Sequence, residues 1–277
     1  MEALLSFMSV KIHPSAVIDK TAELGKDVAV GPNCVIGSGT VIGDGTILDA
    51  NVSVGDDVII GKNNSFYANS VIGRPPQLLG LDSDAKFGKL EIGDNNTVRE
   101  MATLHPSMHP GEKTIIGNDN LLMIGVHIGH DCILENKLVL SNYTQVSGHC
   151  KIEEGVWLSG VVLIHQFVTI GRWSYAAGMS GINHDVPPFV MVSGHYPPEV
   201  RSINKRGLSR AGYSEEEQKN IFDAFKKIYK NHDGVFINRV NEIAARDDLD
   251  ENVRHMVNSI KRSNEHRFGR HLELFRD

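Results

Sequence analysis

The sequence predicts a parallel β-helix over residues 1–186 and a helical region over 187–277. Three observations lead there: an aliphatic period of six residues, glycine directly after many of the aliphatic positions, and an end to the period at Pro187-Pro188. The period is read at Ile12, Ile18, Leu24, Val30, Ile36, Ile42, Leu48, Val54 and Ile60, with Phe66 and Ile72 in phase. It resumes at Ile92, Val98 and Leu104, and then runs from Ile116 through Leu122, Ile128, Leu134, Leu140, Val146, Ile152, Leu158, Ile164 and Ile170 to Ala176 and Ile182. Such spacing fits neither the roughly 3.6 residues of a helical turn nor the plain alternation of an isolated strand. It fits short strands joined by tight corners and stacked as a solenoid, with each aliphatic side chain pointing into one continuous core. The strands of a β-sandwich do not recur at one fixed interval, which argues against that class.

The corners are predicted next. Gly25, Gly31, Gly37, Gly43, Gly55 and Gly61 each follow an aliphatic residue, so the corner either needs a positive φ or has no room for a Cβ. Small residues four places on, such as Ala16, Ala22, Cys34 and Thr40, are expected to pack beside the aliphatic ones. Two excursions interrupt the wall. Ile72 and Ile92 are 20 residues apart, two out of phase, and GRPPQLLGLDSDAKFGK has loop chemistry, which defines an excursion over about 73–89. The stretch HPSMHPGEK keeps phase but is too rich in proline for a wall strand, and defines a second excursion over about 105–113. A long loop on a rigid prism suits a binding arm. In the tail, Ser214 and Glu217 form a capping-box pattern ahead of IFDAFKKIYK, and further helices are expected over about 235–246 and 250–265. A helical cap suits an open solenoid end, which would otherwise expose core and strand edges.

The 277 residues are 41% hydrophobic and can bury a sizeable core. No apolar run reaches the roughly 18 residues of a membrane span, and MEALLSFMSVK lacks the basic and long apolar regions of a secretory signal. A cytoplasmic location is expected, with Met8 a second candidate start. Cys34, Cys132 and Cys150 are too scattered for a disulfide framework and read as reduced, buried thiols. Residues 1–200 hold 12 Lys/Arg against 21 Asp/Glu, whereas 201–277 hold 16 against 13. That split suits an acidic partner at the tail. Neither nucleic acid nor a membrane span is expected.

The repeats resemble those of the hexapeptide-repeat acyltransferases. The resemblance implies a left-handed parallel β-helix with three hexapeptides per coil; the handedness comes from the resemblance alone. Of the 13 histidines, His127, His130, His149 and His165 lie off the aliphatic phase and should face outward. At one coil per 18 residues, His130 lies one coil below Gly148, about 4.8 Å away if the coils pair as parallel strands. His149 stands beside that glycine. The set can converge on a groove, and two chemistries suit it: a metal site of neutral imidazoles, or a general base near physiological pH. In the γ-class carbonic anhydrases, metal enzymes on this fold, paired ligands stand five apart. The cluster has no such pair, so no metal is expected.

A narrower resemblance follows from GNDNLLMIGVHIGHDCILENKLVLSNYTQVSGH, IHQFVTIG and GMSGINHDVPPFVMVSG. These segments closely resemble the UDP-N-acetylglucosamine 3-O-acyltransferases that begin lipid A synthesis, and the likeness covers nearly the whole chain. It implies transfer of an (R)-3-hydroxyacyl group from acyl carrier protein to the 3-hydroxyl of UDP-N-acetylglucosamine, with no cofactor, by a homotrimer. It further implies His130 as the general base, Asp131 as its orienting carboxylate, and Gly148 as the source of the backbone donor to the oxyanion. His127, His149, His165 and Gln166 match residues that line the substrate groove. Asn204 and Arg210 match contacts to the nucleotide and its phosphates, and Gly178 matches the residue that limits acyl-chain depth. The chain departs from the family pattern at Pro76-Gln77-Leu78-Leu79-Gly80, where Pro-Gln-Asp-Leu-Lys-Tyr is usual, and at Arg206, usually acidic. Asp82, Asp84 and Lys86 are candidate substitutes. Two alternatives stay open: another hexapeptide-repeat acyl- or acetyltransferase acting on a different sugar nucleotide or amino sugar, and a scaffold without turnover.

Overall fold

A computed structural model of the chain describes residues 11–80, 82, 85–231 and 233–276; Met8 and Asp84 lie outside the described residues. Most six-residue units form a strand of two residues, as at Val35–Ile36, Val41–Ile42 and Ile47–Leu48. The first residue faces out and the second, the aliphatic one, faces in, as the pleat requires. Among the described residues every third strand of the coils stacks in parallel, in three walls of 11, 9 and 8 strands, the first of which ends in one antiparallel strand. The stacking register is regular: His127 pairs with Thr103 on one side and Gln145 on the other, and Gln145 pairs with Leu163. The aliphatic residues from Val30 to Ile182 form one buried core, continuous with Ile221, Phe225 and Val257 of the helices. Ile12, in the first described coil, is 48% exposed.

The corners resolve the two readings of the glycines. Gly31 and Gly43 do not have a positive φ; a Cβ on Gly43 would stand 2.6 Å from the carbonyl oxygen of Gly61 in the next coil. Close approach of the coils is therefore the reason for glycine there. The left-handed residue falls three places after the aliphatic one, at Asp27, Asn33, Asn51, Asp57 and Asn63, residue types that tolerate this conformation. Cys34 and Thr40 are buried beside the aliphatic positions, as expected. The corner that holds Asn33, Asn51 and Asn69 in the early coils holds Tyr143, Val161 and Met179 in the later ones, still left-handed and with their apolar side chains exposed.

Strands Lys89–Ile92 and Lys113–Ile116 are four residues long and pair with each other, so the excursions occupy 73–88 and 105–112. The two loops meet: Gly88 N–H donates to the Ser107 carbonyl at 2.9 Å, and Ser107 N–H to the Lys89 carbonyl at 3.2 Å.

The region 187–277, expected to be helical, opens instead with sheet. Val190–Ser193 extends the 11-stranded wall in parallel from Tyr175–Ala176, and Glu199–Ile203 pairs with it antiparallel. The physical reason is the alternation in Val190-Met191-Val192-Ser193, whose two valines are buried. Helices then follow: α1 (Lys205–Arg210), α2 (Glu215–Phe225) running into a π-turn at Lys226–Lys230, α3 (Phe236–Ala244) and α4 (Glu251–Glu265). The Ser214–Glu217 capping box has both of its hydrogen bonds. Helix α4 is tied to the solenoid by Glu153, buried among the coils, whose Oε2 lies 3.1 Å from His255 Nε2 and accepts from Arg172 N–H at 3.0 Å. Among the described residues no helix is long and apolar enough to cross a membrane.

Candidate active site

His130 follows the Ile128-Gly129 corner and points out of the prism. Its Nδ1 lies 2.7 Å from Oδ2 of Asp131, the left-handed residue of that corner. Asp131 is itself held from several sides. Its N–H donates to Thr114 Oγ1 at 2.7 Å, and its carboxylate accepts a very short bond from the Ser107 hydroxyl and a longer one, 3.3 Å, from Met108 N–H. Burial would raise its pKa, but the bonds from His130, Ser107 and Met108, together with the charge of His149, hold it below the usual carboxylate range. A carboxylate that accepts at Nδ1 fixes the tautomer with the proton there and leaves the Nε2 lone pair free.

Gly148 sits one coil above His130. A Cβ there would fall 2.5 Å from Cε1 and 2.7 Å from Nε2 of the imidazole, so only glycine lets the ring lie against the wall. The Gly148 N–H has no acceptor among the described residues. His127, His130, Gly148, His165 and Gln166 line one cleft of about 320 Å³. His127 Nδ1 is 2.9 Å from Thr103 Oγ1; burial, reinforced by neighbouring His105 and His130, lowers its pKa to about 4 and keeps it neutral at pH 7. His165 Nδ1 donates to the Gln166 carbonyl at 3.0 Å. His149 lies on the other side of His130, outside the cleft lining. Its ring stacks on Phe167 at 4.5 Å and meets His130 edge-on at 5.0 Å, while Nε2 stands 3.8 Å from Asp131 Oδ2.

Sequence reasoning missed His105 and Ser107. His105 is buried, and its Nδ1 contacts the carbonyls of Arg74 and Pro75 at 2.9 and 3.1 Å, which draws Pro76 and Gln77 to the rim of the cleft. The proton thus sits on Nδ1, and Nε2 is a buried acceptor with no partner among the described residues. A signal was available: Thr103 and Leu104 stack directly under His127 and Ile128, so HPSMH continues beneath GHD.

The remaining predicted residues stand elsewhere. Asn204 and Arg210 line a second cleft of about 500 Å³ on the 11-stranded wall, with Trp157, Trp173 and Arg206. The Asn204 amide caps α1, accepting from Gly207 N–H at 3.1 Å and donating to the Trp173 carbonyl at 2.8 Å. The Arg210 guanidinium lies 5.8 Å from the Trp157 ring centroid. Gly178 is beside Met179 on the apolar corner, and a Cβ there would meet nothing closer than the Gly160 carbonyl oxygen at 3.4 Å. One chain therefore brings together the histidines, Gly148 and Gln166, and keeps Asn204, Arg210 and Gly178 apart from them.

A β-solenoid of six-residue units, with a carboxylate-bonded imidazole beside a backbone N–H that has no acceptor among the described residues, fits the class of the hexapeptide-repeat acyltransferases. Comparison with known proteins narrows it. The family model described as UDP N-acetylglucosamine O-acyltransferase, domain 2, matches residues 185–269, and one described as the GMPPB C-terminal domain matches 7–78. The acyl-[acyl-carrier-protein]–UDP-N-acetylglucosamine O-acyltransferase of Gloeothece citriformis is 45% identical over 81% of this chain and 80% of its own length. Among solved structures, the UDP-N-acetylglucosamine acyltransferase of Francisella novicida is 34% identical, with 90% of this chain and 91% of that one covered and a TM-score of 0.83. The Arabidopsis UDP-N-acetylglucosamine acyltransferase is likewise 34% identical, covering 91% and 96%, with a TM-score of 0.78. The chain belongs to the family of acyl-[acyl-carrier-protein]–UDP-N-acetylglucosamine O-acyltransferases.

Proposed function

We propose that the chain transfers an (R)-3-hydroxyacyl group from acyl carrier protein to the 3-hydroxyl of UDP-N-acetylglucosamine, the first step of lipid A synthesis, with His130 as general base. The observation that carries this reading is the His130–Asp131 bond of 2.7 Å beside the Gly148 N–H, which has no acceptor among the described residues. His130 Nε2 takes the proton of the sugar hydroxyl as its oxygen attacks the thioester carbonyl, a contribution of about 10²–10⁴ in rate. Asp131 orients the ring and stabilises the imidazolium that forms. The tetrahedral oxyanion accepts from Gly148 N–H, a donor of the kind worth about 10²–10³. Collapse breaks the C–S bond, and the imidazolium returns its proton to the leaving thiolate. No cofactor enters these steps.

His127, His165 and Gln166 line the groove on one side of the base, and His149 serves the substrate from its other side. Asn204 and Arg210 serve the nucleotide, Arg210 by charge-assisted bonds to phosphate. Their distance from the base within one chain supports a homotrimer in which neighbouring prisms complete the site. The exposed left-handed row Tyr143, Val161 and Met179 supports it too, since a β-branched residue in that conformation costs energy that solvent exposure does not offset. Gly178, beside that row, then limits the depth of the acyl chain. The solenoid, 1–186, supplies the chemistry, and 187–277 supplies nucleotide contacts and a basic surface for the acidic carrier in the cytoplasm.

Mass spectrometry of products from a panel of carrier thioesters and UDP sugars tests the substrates; acylation of a different sugar nucleotide alone would replace the reading. His130→Ala tests the base, with a rate loss of about 10² or more expected in a folded protein. Near-wild-type turnover by that variant refutes the assignment, and an active monomer of 30.5 kDa in light scattering refutes the shared site.

A further inference from the structure

The second loop brings a third histidine to the far side of the carboxylate. His109 is fixed by Ser107, whose hydroxyl donates to Asp131 and accepts the His109 N–H at 3.0 Å. Met108 N–H reaches the same carboxylate at 3.3 Å, so two consecutive residues tie the loop to Asp131. The His109 ring lies 6.2 Å from that of His149, and its nitrogens have no hydrogen-bond partner among the described residues. One donor atom each from His109, Asp131 and His149 lie within 4.8 Å of one another. We propose that these three residues bind a divalent transition cation of the zinc type, and that its occupancy blocks acyl transfer.

The donor set is the right chemistry. Two imidazoles and a carboxylate, with a fourth position open to water, is a common zinc arrangement. A tetrahedral ion with bonds of about 2.0–2.1 Å needs donors roughly 3.4 Å apart, so side-chain rotations that draw them together by about an ångström close the site. His149 rests on Phe167 with its Nε2 already aimed at Asp131 Oδ2 at 3.8 Å. Oδ2 is also the atom that faces His130 Nδ1. An ion that takes this oxygen withdraws the charge that orients His130 and stabilises its protonated form. The inhibition rests on the reading of His130 as base; the binding does not.

Cobalt(II) and zinc(II) serve as probes on tag-free, full-length protein. Wild type is expected to bind one Co²⁺ per chain with visible d–d absorption, displaced by Zn²⁺, and Zn²⁺ is expected to inhibit turnover over the same concentration range. His109→Ala should weaken binding and raise the inhibitory zinc concentration at least about tenfold, with basal activity within about twofold of wild type. His130→Ala should bind cobalt at least as well as wild type, because it frees Asp131; if that variant is active, the base assignment fails on its own while cobalt binding still reports on the site. Three results overturn the proposal: no cobalt bound at millimolar concentration, equal binding by His109→Ala, or a bound ion that leaves wild-type turnover unchanged.

Discussion

The absent Cβ of Gly148 and the imidazole of His130 occupy the same space: a methyl group there would stand 2.5 Å from His130 Cε1. The backbone of Gly148 is not left-handed, so alanine suits the chain conformation, and the three atoms nearest its Cβ all belong to the ring. Gly148→Ala is therefore expected to fold, with an unchanged circular dichroism spectrum, and to lose about 10²-fold or more in kcat/KM as the base and the oxyanion donor are pushed apart. Activity within threefold of wild type would show that the ring has another productive position.

His127 should remain neutral throughout the working pH range. Its pKa of about 4, set first by burial and then by His105 and His130, lies below the ordinary 6.5. Because the folded value is depressed, this group opposes folding as pH falls from 6.5 toward 4, and it contributes no titration above that window. Nitrogen-15 NMR of the imidazoles is expected to give a His127 midpoint near 4. A midpoint near 6.5 would mean a hydrated ring.

Glu153 should make the seam between the solenoid and α4 acid-sensitive. Burial favours its neutral form, but the bonds from His255 and Arg172 N–H and the charges of His255 and Lys151 outweigh it and lower the pKa from 4.5 to about 2. The folded value lies below the unfolded one, so the stabilisation is complete above pH 4.5 and is lost as pH falls toward 2. The shift corresponds to about 3 kcal/mol. Glu153→Gln is expected to lower denaturant stability at pH 7 by roughly that amount and to flatten the pH dependence between 4.5 and 2. Equal stability of the two proteins at pH 7 refutes it.

The basic tail should act on the acyl donor through Lys226 and Lys227, although each already has an acidic neighbour: Asp223 at 3.1 Å and Glu242 at 3.1 Å. Those exposed pairs are weak and leave the lysines available. Reversing both lysines to Glu is expected to raise the donor KM about threefold at low salt, with the difference shrinking as ionic strength rises and kcat unchanged. An unaltered KM, with a parent enzyme insensitive to salt, would assign the charge to solvated helix surface.

Much of the fold was legible because the solenoid repeats one local rule. An aliphatic residue every six places can satisfy only one wall register, and the outward direction of His127, His130, His149 and His165 follows from that register. The Ser214–Glu217 box and helices α3 and α4 were equally local, set by capping and by an apolar face. Less local features were misread. Pro187-Pro188 marks the end of the six-residue period, yet the chain goes on to add Val190–Ser193 and Glu199–Ile203 to the wall, because strand pairing depends on the edge that waits in space.

By itself the sequence determined the repeat, the buried row, the family and the outward band of histidines, since each depends on spacing along the chain. Only the tertiary structure decided that Ser107 and Met108 reach Asp131 and that His105 holds the first loop at the cleft. It also decided that Asn204 spends its amide on capping α1 and stands with Arg210 on another wall. The physical reason is the same in each case. A repeat fixes where its own residues fall, coil above coil, but an inserted loop breaks that count, and where it comes to rest depends on the hydrogen bonds it finds on a surface built from distant parts of the chain.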